Sequence, residues 1–101
     1  MIKIVVDSGE FCPVFICDYC GLRIDDARMG IYQWNGEMST TKIWYFHKPC
    51  SREYERLNGR FDYWDELGYF LLYLLHNSGV SEKNIDEIKR RNLLFKNNEA
   101  R

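Results

Sequence analysis

No stretch of this 101-residue chain is apolar for long enough to cross a bilayer; the greasiest run, Tyr69 to Leu75, is far short of the roughly 20 residues a spanning helix needs. The opening Met1-Ile2-Lys3-Ile4-Val5-Val6-Asp7 lacks the apolar core of a signal peptide, so a cytoplasmic location is expected, where thiols stay reduced. Net charge is nearly absent as well, at −1, so the whole chain offers nucleic acid no general attraction. A Gly-rich phosphate loop is missing, as is a Ser or Cys nucleophile with a recognisable partner. No enzyme and no small-molecule substrate are expected.

What the chain does have is rings and four well-spaced metal-type ligands. Aromatic residues make up 16% of it, too many for a disordered chain, and its length suits one domain, 1–101. Most of those rings are expected in the core, since so small a domain has little else to fill it. Cys17 and Cys20 form a Cys-x2-Cys, and after 26 intervening residues His47 and Cys50 form a His-x2-Cys. Each short spacer lets a turn aim two soft ligands at one point, and two such pairs make the three-thiolate, one-imidazole set that tetrahedral Zn²⁺ prefers. One structural zinc is therefore expected, closed by four protein ligands and contributing binding free energy of order 10 kcal/mol to folding. A redox Cys-x2-Cys would open a helix after a strand, whereas here Gly21 follows it and a hairpin comes next. Cys12, set apart by Pro13, is expected to be a plain buried thiol, and His76 a helix-end residue rather than a ligand.

The pattern around these ligands predicts an α+β fold, with a zinc-finger part over 12–60 and a helical part over 61–95. Ile2 to Val6 reads as a strand ended by Asp7-Ser8-Gly9. Met29–Trp34 and Lys42–Phe46 read as a hairpin, and a two-residue turn at Asn35-Gly36 would place Trp34 opposite Glu37 and His47 opposite Ile24. A helix follows from Pro49 to Asn58-Gly59, with Tyr54, Leu57 and Phe61 sharing a face. A second helix is expected from a cap at Asp62 through Leu75, apolar nearly all round, and a third from Ser81 towards Leu93, with 96–101 frayed.

A knuckle, a hairpin and a helix carrying the second ligand pair form the treble-clef order. Within that class Cys17-x2-Cys20, Ile24, Arg28-Met29-Gly30-Ile31 and Trp44-Tyr45-Phe46-His47-x2-Cys50 resemble the poly(ADP-ribose) polymerase-type zinc finger. The first zinc module of LIM domains is similar in ligand pattern, with a shorter gap. The resemblance covers roughly a third of the chain and implies zinc ligation by Cys17, Cys20, His47 and Cys50. Fingers of that type read broken or bent DNA through basic residues, whereas residues 12–60 here carry seven Lys or Arg against six Asp or Glu.

Two functions compete on these residues. The first is a non-enzymatic zinc-binding module acting in protein–protein interaction or self-association, through the aromatic hairpin or the apolar helix from Asp62 to Leu75. The alternative is nucleic-acid (DNA) binding, drawing on the finger resemblance and on the basic Lys89, Arg90, Arg91, Lys96 and Arg101. The turn Gly79-Val80-Ser81 followed by Ile85 and Ile88 also resembles a helix-turn-helix, but Glu82, Asp86 and Glu87 occupy positions where phosphate contacts would be wanted.

Overall fold

The computed structural model describes residues 1–36 and 42–98, the last seven of these as backbone. It is α+β: strands β1 (Ile2–Asp7) and β2 (Glu10–Phe15) form one antiparallel sheet, and β3 (Gly30–Trp34), β4 (Ile43–His47) and β5 (Tyr63–Glu66) form a second in the order β4-β3-β5. Helices α1 (Lys48–Asn58), α2 (Leu67–Asn77) and α3 (Glu82–Asn98) complete it. The chain divides into two compact units, Met1–Phe70 and Leu71–Arg101, so α2 begins in one and ends in the other.

Local chemistry accounts for the element ends. Ser8 and Gly9 take positive φ (52° and 80°), the conformation of a tight hairpin turn whose twist suits β1 and β2. Pro49 lies in the first turn of α1, and Gly59 (φ 90°) stops that helix with its N–H donating to the Glu55 carbonyl at 2.8 Å. Ser81 precedes α3, its own N–H donating to Asn84 Oδ1 at 2.7 Å. Along α3 the backbone stays helical through Asn98, past the Lys96 at which fraying is expected.

Strands β3 and β4 are packed on both faces, and this is where most of the rings go. On one face Tyr32 and Tyr45 are paired across β3 and β4 and packed on Phe15 and Phe70. On the other, Trp44 and Phe46 meet Tyr54 of α1 and Phe61. Phe46 and Leu67 are fully buried. The described rings of the hairpin are therefore buried or half-buried in the core.

Three sequence expectations are corrected. The register pairs Trp34 with Ile43 and Gly30 with His47, so Ile24 is not opposite His47. Asn35-Gly36 is used differently: Asn35 Oδ1 accepts from the Asp62 N–H at 2.8 Å, and the Gly36 N–H donates to Asp62 Oδ2 at 2.9 Å. That exchange ties the end of β3 to the start of β5; the expected partner Glu37 lies outside the described residues. Secondly, Asp62 caps no helix, because Tyr63–Glu66 form a strand on the free edge of β3 and α2 starts at Leu67. Aromatic residues suit a pleated surface, and a second edge of β3 was there to be paired. Thirdly, Leu57 is exposed while Tyr54 and Phe61 pack on the core, Phe61 from beyond the end of the helix.

Gly30 opens β3 where no side chain fits: a Cβ there would lie 2.8 Å from Leu67 Cδ2 and 3.0 Å from Ile24 Cγ2. Gly30→Ala is expected to cost about 1–3 kcal/mol by overpacking, measured as a lower denaturation midpoint at unchanged slope.

Candidate metal centre

Within residues 16–24 only Cys17 and Ile24 are buried, and Tyr19, Cys20, Gly21 and Leu22 are all exposed. Hydrogen bonds define the loop instead. The Cys17 N–H donates to the Leu22 carbonyl (2.9 Å), the Gly21 N–H to the Cys17 carbonyl (3.0 Å), and Gly21 takes φ 75°. The loop is then stitched to β4: the Asp18 N–H donates to the Tyr45 carbonyl (2.7 Å), and Asp18 Oδ2 accepts from the Tyr45 N–H (2.8 Å). The same carboxylate oxygen accepts from the Met1 amino group at 2.9 Å. This role of Asp18 was not foreseen from sequence; its only signal there was an acid inside the Cys-x2-Cys.

From the other side, β4 ends at His47 and α1 begins at Lys48, which puts Cys50 in the helix's first turn. The four ligand atoms, Cys17 Sγ, Cys20 Sγ, one ring nitrogen of His47 and Cys50 Sγ, all lie within 4.8 Å of one another. All four cysteines of the chain are free thiols. His47 Nδ1 is 3.4 Å from Cys20 Sγ and 4.0 Å from Cys50 Sγ. A tetrahedron with metal–sulfur bonds of about 2.3 Å and metal–nitrogen bonds of about 2.0 Å has edges of roughly 3.5–3.8 Å, between those two distances. The four residues are therefore close enough to hold one metal ion. Cys12 is absent from the cluster; it is half-buried in β2 opposite Val5, rather than fully buried as expected.

The histidine tautomer follows from its neighbours. Nε2 lies 3.1 Å from the Arg23 carbonyl, which can only accept, so Nε2 carries the proton and donates. That leaves the Nδ1 lone pair facing the sulfurs, the arrangement by which a backbone carbonyl orients a metal-binding imidazole.

The electrostatics point the same way. Burial opposes ionisation of Cys17, which is 1% exposed, but backbone N–H groups and the His47 ring outweigh it and bring the thiol down to about 7. Burial, then the neighbouring Cys17 and Cys20 sulfurs, push Cys50 up to about 12. Three thiolates so close repel one another, and a divalent cation among them removes that conflict.

Asp18→Ala removes the acceptor of the Tyr45 N–H and unstitches the loop from β4. Metal affinity is expected to fall at least about tenfold, read by competition with a chromophoric chelator, with all four ligands still present. Set beside protein-family models, curated proteins and solved structures, the chain matches none of them.

Proposed function

We propose that this chain is a non-enzymatic, zinc-stabilised module of the treble-clef type that works in the cytoplasm by binding another protein. The convergence of Cys17, Cys20, His47 and Cys50 carries the reading. Three sulfurs and one imidazole suit zinc better than hard cations, which take oxygen. Four protein ligands fill a tetrahedral shell and leave no position for a reacting water, so the metal's role is structural. The chain order also supports the treble-clef assignment and its resemblance to the poly(ADP-ribose) polymerase-type finger: knuckle, then the β3–β4 hairpin, then α1 with Cys50 in its first turn.

With the aromatic hairpin buried, the β1–β2 sheet becomes the interaction surface of this unit. Ile4 faces Pro13 and Val6 faces Phe11 across the two strands. All four are exposed, Phe11 at 78%. An apolar cross-strand ladder left in water is the kind of patch a partner protein covers.

The nucleic-acid alternative has one observation in its favour. Lys48, Arg52 and Arg56 recur at four-residue spacing along α1, with Arg60 just beyond it. Ion pairing weakens it. Lys48 pairs with Glu66, Arg56 with Glu53, Arg28 with Asp26 and Arg23 with Asp7 and Asp25. A phosphate backbone would have to displace those carboxylates.

Native mass spectrometry tests the metal: one zinc per chain is expected, lost together with the order of the loop in His47→Ala and Cys50→Ala. A wild-type chain that is folded and metal-free would overturn the reading and bring forward redox chemistry at Cys17 and Cys20. For the partner, Phe11→Glu is expected to keep its zinc and lose a protein that the wild type captures. Salt-sensitive binding to duplex, nicked or single-stranded DNA would instead favour the alternative.

A further inference from the structure

The register of β3 and β5 gathers a face that α1 covers only in part. Pairing of Ile31 with Glu66 and of Gln33 with Trp64 sets all four side chains on one side of the two strands. Helix α1 lies on that side, with Tyr54 against Trp44 and Phe46 of β4 and Ser51 bonded to Gln33 of β3, while Trp64 of β5 stays 62% exposed. Between α1 and β5 this leaves a cavity of about 320 Å³, floored by Ile31 and Gln33 and walled by Trp64. Its size falls at the small end of the range for ligand pockets.

Two donors in its lining are left over once the bonds within the protein are assigned. Lys48 pairs with Glu66 at 3.2 Å, and Glu55 accepts from the Phe61 N–H at 3.1 Å. Arg52 lines the cavity, is exposed, and has no ion-pair partner among the described residues. On the floor Gln33 is 1% exposed; its Oε1 accepts from the Ser51 hydroxyl at 2.7 Å, and no described group accepts from its Nε2. Among the described residues no side-chain nitrogen or oxygen sealed from solvent lacks a partner, so that nitrogen faces the cavity. An almost buried amide donor with nothing to accept from it carries a desolvation cost that a ligand oxygen would remove.

We propose that this cavity binds a monocarboxylate that carries an aromatic ring, either a free acid or the C-terminal residue of a peptide. The carboxylate accepts from the Arg52 guanidinium and from Gln33 Nε2, one charge-assisted bond and one neutral bond. The ring lies against the Trp64 indole, over Ile31. Arg52 balances a single negative charge. A phosphate dianion would bring a second charge to a lining that already holds Glu55 and Glu66, and like charges so close are costly. Neither the metal centre nor the β1–β2 surface enters this site, so its failure leaves the proposed function standing.

The test is a proton–nitrogen NMR titration of the full chain with phenylacetate and with the peptide N-acetyl-Gly-Gly-Phe, each beside its carboxamide, and with inorganic phosphate. Saturable shifts are expected at the Trp64 indole N–H and the Gln33 side-chain amide, in the millimolar range usual for so small a probe as phenylacetate. The carboxamides should bind at least about tenfold more weakly, and Arg52→Gln should cost as much. Trp64→Ala should weaken binding at least about threefold. Both of these residues are exposed, so their variants should keep the wild-type denaturation midpoint. The double variant Gln33→Met/Ser51→Ala removes both members of the buried pair, which leaves neither unsatisfied, and should lose affinity at least about tenfold. Peptide binding as tight as that of phenylacetate or tighter assigns a peptide C-terminus; phenylacetate binding with the peptide excluded assigns a free acid. The proposal is overturned by a chain that binds neither carboxylate, by carboxamides that bind as well as the acids, by phosphate binding more tightly than both, or by an affinity that Arg52→Gln does not move.

Discussion

Three sulfurs and one ring nitrogen within 4.8 Å of each other set the condition on which the first unit depends. The loop through Cys17 and Cys20 has few buried side chains of its own, so it is held by what it reaches. It is stitched to β4 through Asp18 and Tyr45, and its ligands meet the start of α1 at Cys50. Backbone hydrogen bonds lower the Cys17 thiol while burial and its sulfur neighbours raise Cys50. Such a cluster is close enough to hold one metal ion, and in a domain of this size the binding free energy of such an ion would rival the whole net stability.

The central sheet is what brings the two ligand pairs together. Strand β3 has partners on both edges and side chains packed on both faces, so its position is over-determined. Its first residue, Gly30, is opposite His47 in the register and has Leu67 and Ile24 pressed against the space a side chain would need. The imidazole is thus placed by core packing as well as by its hydrogen bond to the Arg23 carbonyl. The one buried polar pair of this sheet and α1, Ser51 donating to Gln33 Oε1 at 2.7 Å, fastens the helix that delivers Cys50. A buried and satisfied hydrogen bond of this kind fixes orientation more than it adds net stability.

Much of the site was legible because its information is local. Two-residue spacers, Gly21 after the second cysteine and Pro49 in the first turn of α1 act over a few residues, and each is found in the conformation its chemistry favours. The register of β3 and β4 was not legible. Asn35-Gly36 is a strong turn signal on local grounds, yet both residues bond to Asp62, 26 or more positions away. Tyr63-Trp64-Asp65-Glu66 likewise suited the first turn of a helix until the open edge of β3 offered a ladder of hydrogen bonds. The same competition decided which apolar residues became surface: Tyr32, Tyr45 and Phe46 are buried, and Phe11, Leu71, Leu72, Leu74 and Leu75 are exposed.

By itself, then, the sequence determined the α+β class, the four residues whose chemistry suits a shared metal, and the start and stop of α1. Those are set by side-chain type and by steric rules that reach no further than a turn. Only the tertiary structure decided which strands pair in which register, that Asp18 is the stitch holding the loop to β4, and which apolar residues remain exposed. Those outcomes depend on long-range competition for hydrogen bonds and buried area, where each segment's preference is weaker than what its neighbours offer.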